Sequence, residues 1–266
     1  MSLRHMKNVE RVPCGRERFS DMAVARDKLD PQFRSYRAYM EMLYSGNLTE
    51  QQAKMVVDYR TNHHDIILGV PTAYGYKTAD IAGFLSYGHG YGLIQHDMVR
   101  EALLLMYSVM AHQYTRGTWT APETRNVLTD GPAAPYCTPA QLVVALMTRW
   151  LLVFEDPQSE TLWLGKAVPR KWLDDGKSIS VSDAPTRWGR VGFSIVSHLK
   201  ESAISATVSL PTSFPAVIKL RLRTPNAARL QSVTLNGKAW THFSSVDETI
   251  TIPAGMSGPV SVVAKY

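Results

Sequence analysis

The apolar residues of this chain change period near residue 156, and that change constrains the fold more than any single motif does. Upstream they recur at steps of three or four, as on one face of a helix: Phe33, Tyr36, Met40 and Leu43 mark such a stretch over 30–44. Thr49, followed by Glu50, reads as the N-cap of a second helix over 49–59. The same spacing predicts helices over 78–87, 95–114 and 138–154, the last with Pro139 in its first turn. Downstream, segments such as "SISVSD", "VGFSIVS", "AISATVSL", "AVIKLRLR" and "TITIPA" alternate apolar with polar residues and are rich in β-branched side chains. Asn236-Gly237 is a two-residue hairpin signal, because both residue types tolerate the positive φ of a type I′ turn. Seven or eight strands at spacings of about ten residues predict an antiparallel β-sandwich. The expected architecture is α+β and multidomain, with a helical domain over 1–156 and a β-sandwich domain over 157–266.

At 266 residues and 45% hydrophobic content, the chain can bury a sizeable core. It has no run of eighteen apolar residues, so no membrane-spanning helix is expected, and the first twenty residues lack the apolar core of a secretory signal. A soluble protein is expected, either intracellular, or extracellular or periplasmic if a signal was removed. The net charge of +6 raises the question of nucleic acid, and its distribution answers it. Lys plus Arg equal Asp plus Glu at 16 each over 1–156, and stand at 13 against 7 over 157–266. The excess is scattered along strands such as "KLRLRTP", as on a solvated sheet face, so neither nucleic acid nor membrane is expected as a partner. Cys14 and Cys137 are far apart, match no metal spacing and read as free thiols.

Several motifs invite a functional reading and fail it. "GHGYG", 88–92, lacks the G-x-G-x-x-G spacing and follows a predicted helix, so it reads as a flexible turn carrying His89 and Tyr91 rather than a dinucleotide loop. "NHHDIILG" offers His63, His64 and Asp65, but no H-E-x-x-H or similar ligand spacing occurs, and neither metal nor cofactor is expected. No G-x-S-x-G elbow is present.

The stretch 113–126, "QYTRGTWTAPETRN", is different. Gly117 and Pro122 oppose a helix, yet the segment carries Tyr114, Arg116, Trp119, Glu123 and Arg125. An indole stacks on the apolar face of a sugar ring, planar polar groups meet its hydroxyl rim, and a carboxyl group there can move a proton at the glycosidic oxygen or at water. The alternative is an ordered loop whose Glu and Arg merely pair.

The helices with aromatic loops, then "LLVFEDPQSETLWLGKAVPRKWLDDGKSISVSDAPTRWGRVGFSI" and "LRLRTPNAARLQSVTLNGKAW", resemble the carboxy-terminal part of six-hairpin (α/α)6-toroid glycoside hydrolases. The resemblance covers residues 60–266 and implies a partial α/α toroid followed by a sandwich. Only five or six helices are predicted, about half of such a ring, which implies a homo-oligomer or a missing amino-terminal portion. It also implies glycosidic-bond hydrolysis of an oligosaccharide or polysaccharide, with Glu123 as acid or base and Asp65 as second carboxylate. Trp119, Tyr114, Arg125, His64, His89 and Tyr91 would then shape the sugar subsite. Two other readings stay open: a non-catalytic carbohydrate-binding or structural module, and a polyanion-binding β-domain.

Overall fold

Thr49 caps the helix that follows it in both directions. The Gln52 backbone N–H donates to Thr49 Oγ1 at 3.3 Å, and the Gln52 side-chain carbonyl accepts from the Thr49 N–H at 3.0 Å. This capping box opens α2, Glu50–Asn62, which follows α1, Tyr36–Tyr44. The computed structural model describes residues 36–62, 65–72, 79–129, 136–213, 215, 217–253, 255–256 and 258–266. Among them are five α-helices and fifteen strands in four sheets. They fall in two compact units, the first ending at Thr148 and the second running Arg149–Tyr266.

The first unit does not continue into helical hairpins. β1 (Ile66–Ile67) and β2 (Val70–Pro71) form a hairpin around Leu68-Gly69, with φ of 53° and 80°. Thr72 bridges to Ile81, and β3 (Asp80–Ile81) pairs with β4 (Arg125–Asn126). The backbone groups of these segments are satisfied from strand to strand, which a ring of helical hairpins would not need. The expected fold class, a partial α/α toroid followed by an antiparallel β-sandwich, is therefore corrected: the described chain is mostly β-sheet.

"GHGYG" is helical, not a flexible turn: it lies inside α3, Ser86–Gln95. Its glycines are contact points. A Cβ at Gly88 would meet the Met40 carbonyl oxygen at 2.6 Å, and one at Gly92 would meet Leu43 at 2.8 Å. Both partners lie on α1, so the missing side chains allow the two helices their close approach. The helix expected over 95–114 is also interrupted. Asp97 sits at φ 61°, and the N–H groups of Met98 and Asp97 return to the Leu93 and Ile94 carbonyls at 2.8 and 3.3 Å. This is a Schellman ending with Asp where Gly is usual, so it left no glycine signal in the sequence. α4, Val99–His112, starts only after it.

α5, Thr138–Leu152, gives way at Val153 to β5, Val153–Glu155, where a helix to Phe154 was expected. β5 borders a five-stranded sheet with β6 (Thr161–Leu164), β10 (Val217–Arg221), β14 (Thr249–Ile252) and β13 (Phe243–Ser244). β6 and β10 run parallel, so this sheet is mixed rather than antiparallel. The second sheet orders β12 (Lys238–Trp240), β11 (Ser232–Leu235), β15 (Val260–Lys265), β9 (Ala203–Ser209), β8 (Gly189–His198) and β7 (Ser178–Thr186), all antiparallel. Asn236 and Gly237, at φ 48° and 76°, turn β11 into β12 as the sequence predicts. One apolar core joins Leu162, Ile218 and Ile250 of the first sheet to Ile195, Ile204 and Val262 of the second. Truncating any of these buried leucines or isoleucines to Ala costs about 2–5 kcal/mol.

The arginines of "KLRLRTP" are buried, contrary to the solvated face expected. Arg221 donates to the Asp247 and Lys166 carbonyls at 2.9 and 3.2 Å, and Arg223 to the Val168 carbonyl at 2.9 Å. Part of the positive charge of this unit is therefore committed to the protein's own backbone.

Candidate functional site

The loop after α4 is built around Gln113, a fully buried side chain. Its Nε2 donates to the Pro122 carbonyl at 2.8 Å and the Glu123 carbonyl at 3.2 Å. Gly83, which has no Cβ, leaves the space that the Gln113 carboxamide fills. The loop backbone at Pro122 and Glu123 is thereby tied to the end of α4.

Between these anchors the backbone closes on itself. The Thr115 N–H donates to the Thr120 carbonyl at 2.8 Å, and the Trp119 N–H to the Thr115 carbonyl at 3.1 Å. The hydroxyls of Thr115, Thr118 and Thr120 lie 2.6–3.2 Å from one another. This knot holds Gly117 at φ 89° and Trp119 at φ 53°. A tryptophan in the left-handed region is rare and persists only where its surroundings hold it. Trp119 nevertheless remains 54% exposed, its indole edge-on to Tyr114 with ring centroids 5.5 Å apart. The Tyr114 hydroxyl lies 2.8 and 2.7 Å from the carbonyls of Ala140 and Gln141 on α5, and burial pushes its pKa up. Tyr114 therefore offers a ring rather than a titrating group.

Two adjoining surface cavities open beside this loop. One, of about 420 Å³, is lined by His112, Tyr114, Thr115, Arg116 and Arg125 among others. The other, of about 320 Å³, is lined by Met110, Tyr114, Thr115, Arg116, Gly117 and Trp119 among others. Tyr114, Arg116 and Thr115 belong to both. The structure thus brings together Trp119, Tyr114 and Arg125 of the expected site. It adds Arg116, already visible in the loop, and His112 of the last turn of α4, which no motif marked.

The other expected site residues lie elsewhere. Glu123 is partly exposed and is not among the lining residues of either cavity. Tyr91, on α3, packs edge-on against Tyr44 with centroids 4.9 Å apart. His64 falls outside the described residues. Asp65 and His89 belong to a buried polar cluster with Arg60, Tyr39 and Tyr59. Arg60 stands over the Tyr39 ring at 5.8 Å, and the Tyr39 and Tyr59 rings are 5.7 Å apart. Burial and then the neighbouring Arg60 charge push the His89 pKa down to about 3, so this imidazole is neutral at ordinary pH. Burial likewise lowers the Arg60 pKa, which the nearby Asp65 carboxylate opposes. Burial also drives the Tyr39 hydroxyl far above its usual range.

Asp65 and the loop are connected through backbone pairs. The Asp65 carbonyl accepts from Thr72, Thr72 faces Ile81, and Ile81 faces Arg125. Three strand spacings of that kind set their backbones roughly 14 Å apart. Asp80, read from sequence as a helical residue, lies on β3 and accepts from Asn126 Nδ2 at 3.1 Å.

Among the described residues no group of three or more His, Cys, Asp or Glu could hold a metal ion. No helix there is long and apolar enough to cross a membrane. No family model and no curated protein matches the chain. A solved structure described as a glycoside hydrolase is similar over 89% of this chain and 47% of its own, at 10% identity and a TM-score of 0.44. The chain thus spans about half the length of that structure.

Proposed function

We propose that this is a carbohydrate-active protein related to glycoside hydrolases, and that the loop over 113–126 forms its sugar-binding face. The observation that supports this best is Trp119, an exposed indole held in an unfavourable backbone conformation by a threonine knot, beside cavities lined by Tyr114 and two arginines. Stacking on an aromatic ring is how a protein binds the apolar face of a sugar, and a platform fixed in advance loses little entropy on binding. Glu123, on the same loop, is the carboxyl group proposed to move a proton at the glycosidic bond. Asp65, buried against Arg60, is assigned no proton-transfer step.

Calorimetry on a panel of oligosaccharides, with reducing-end release measured in parallel, tests both levels. Binding lost in Trp119→Ala, with product release lost in Glu123→Gln, supports the full reading. Binding without products from the wild-type protein leaves a non-catalytic binding module, a reading that the placement of Glu123 outside both cavity linings favours. Absence of binding to every sugar refutes the proposal.

A further inference from the structure

The two cavities beside Trp119 have a one-sided charge. Among the described residues their linings contain Arg116, shared by both, Arg125 and His112, and no carboxylate. Arg116 and His112 are exposed, and among the described residues neither side chain enters an ion pair or hydrogen bond. Lys54 of the same unit, by contrast, is matched by Asp58 at 2.7 Å. A neutral sugar needs acceptors as well as donors around its hydroxyls, whereas a guanidinium is donor-only and fits a planar carboxylate or an ester sulfate with two parallel hydrogen bonds. The ring platform and the cations are also ordered within one loop: Trp119 lines the smaller cavity, Arg125 the larger, and Arg116 both.

Resting on the carbohydrate reading above, we propose that the ligand is an acidic saccharide, a glycan bearing a carboxylate or sulfate. Trp119 takes the sugar face, backed by the edge-on Tyr114 ring, and Arg116 with Arg125 takes the anionic substituent. The exposed position of Arg116 makes this attraction sensitive to salt, since charges are screened over about 8 Å at physiological ionic strength.

The test measures calorimetric affinity of the whole chain for an oligogalacturonate, for the same oligomer after reduction of its carboxyl groups to alcohols, and for a sulfated galactan oligomer with its desulfated counterpart. The expected result is at least about tenfold tighter binding of the acidic member of one pair, with the gap shrinking as NaCl rises from about 50 to 500 mM. Whichever pair shows the gap identifies the substituent. Arg116→Gln, on an exposed loop and checked for an unchanged circular dichroism spectrum, narrows the gap about five- to tenfold. Equal affinity within both pairs overturns the acidic class while leaving the sugar reading intact. A gap that survives in the Arg116→Gln, Arg125→Gln double variant also overturns it, because the charge is then read elsewhere. No binding to any of the four sugars overturns the acidic class, and the wider oligosaccharide panel above decides the carbohydrate reading. Tighter binding of a single-stranded oligonucleotide of equal charge overturns the saccharide assignment, since stacking and arginines serve nucleic acid equally well.

Discussion

Gln113 holds Pro122 by its carbonyl: the carboxamide nitrogen of a fully buried side chain at the end of α4 reaches across the loop to a backbone oxygen 2.8 Å away. The same nitrogen reaches the Glu123 carbonyl, so one side chain fixes the backbone of the segment on which Glu123 and Arg125 stand. Removing it leaves two backbone acceptors without this donor, which costs about 1–3 kcal/mol. Gln113→Ala is expected to lower stability by that amount in urea denaturation. Gly83→Ala should cost a similar about 1–3 kcal/mol, because the new Cβ falls where the carboxamide lies. In the Gln113→Ala background that second cost should largely vanish. Strict additivity of the two substitutions would show that Gly83 does not exist to make room for Gln113.

The threonine knot makes a different prediction, about binding rather than stability. Thr115 touches the hydroxyls of Thr118 and Thr120 and the backbone on both sides of Trp119. Thr115→Val keeps its shape and removes the oxygen. The partly exposed site should cost only about 1 kcal/mol in stability. Trp119, no longer held at φ 53°, should lose its fixed presentation and bind sugar more weakly, by about tenfold. Unchanged affinity in calorimetry would mean that the preset indole contributes nothing.

His89 links the buried cluster to pH. Its pKa is about 3 in the folded chain, against about 6.5 when unfolded, because burial and the Arg60 charge both disfavour the imidazolium; Asp65 and Tyr39 lie in the same cluster. Between those values the unfolded chain binds the extra proton, so stability is fully present above pH 6.5 and falls as pH drops toward 3. From pH 6.5 to 5 the expected loss from this one residue is about 2 kcal/mol, at about 1.4 kcal/mol per unit. Chemical denaturation of His89→Gln should show that much less loss over the same interval. An identical pH dependence in the two proteins would place the acid sensitivity on other groups.

The period change near residue 156 was legible because β-branched alternation is a local property, and Asn236-Gly237 was legible because its turn depends on two residues alone. What the sequence concealed was non-local. "GHGYG" looks flexible until α1 is seen packed on Gly88 and Gly92. The break at Asp97 is hidden because an aspartate there occupies a conformation usually given to glycine. β1 to β4 are two residues each, too short to carry a period, and they exist only through one another's backbone. The density of functional side chains in 113–126 drew attention to a loop whose residues line both cavities. It could not show that Tyr114 has its hydroxyl bound to α5 or that His112 joins the cavity, since both depend on the loop's return path.

Two arginines of the second unit separate a structural ion pair from a surface one. Arg170 meets Glu248 with both of its terminal nitrogens, at 2.7 and 2.8 Å, and also donates to the Thr224 carbonyl. Glu248 is 4% exposed and sits at φ 57°, so its carboxylate has little water to return to if the arginine is lost. Arg190 meets Asp183 at a comparable 2.9 Å, but both side chains are about two-thirds exposed, at 65% and 69%. Distance alone would rank the pairs together, and desolvation ranks them apart. Arg170→Met is expected to cost about 2–3 kcal/mol, less than a fully buried pair because Arg170 itself keeps a third of its side-chain surface. Arg190→Met should cost under about 0.5 kcal/mol, and that small effect should shrink further in salt. Urea denaturation of both variants at low and high NaCl decides the matter: equal losses would mean that Glu248 finds solvent or another partner when Arg170 is gone.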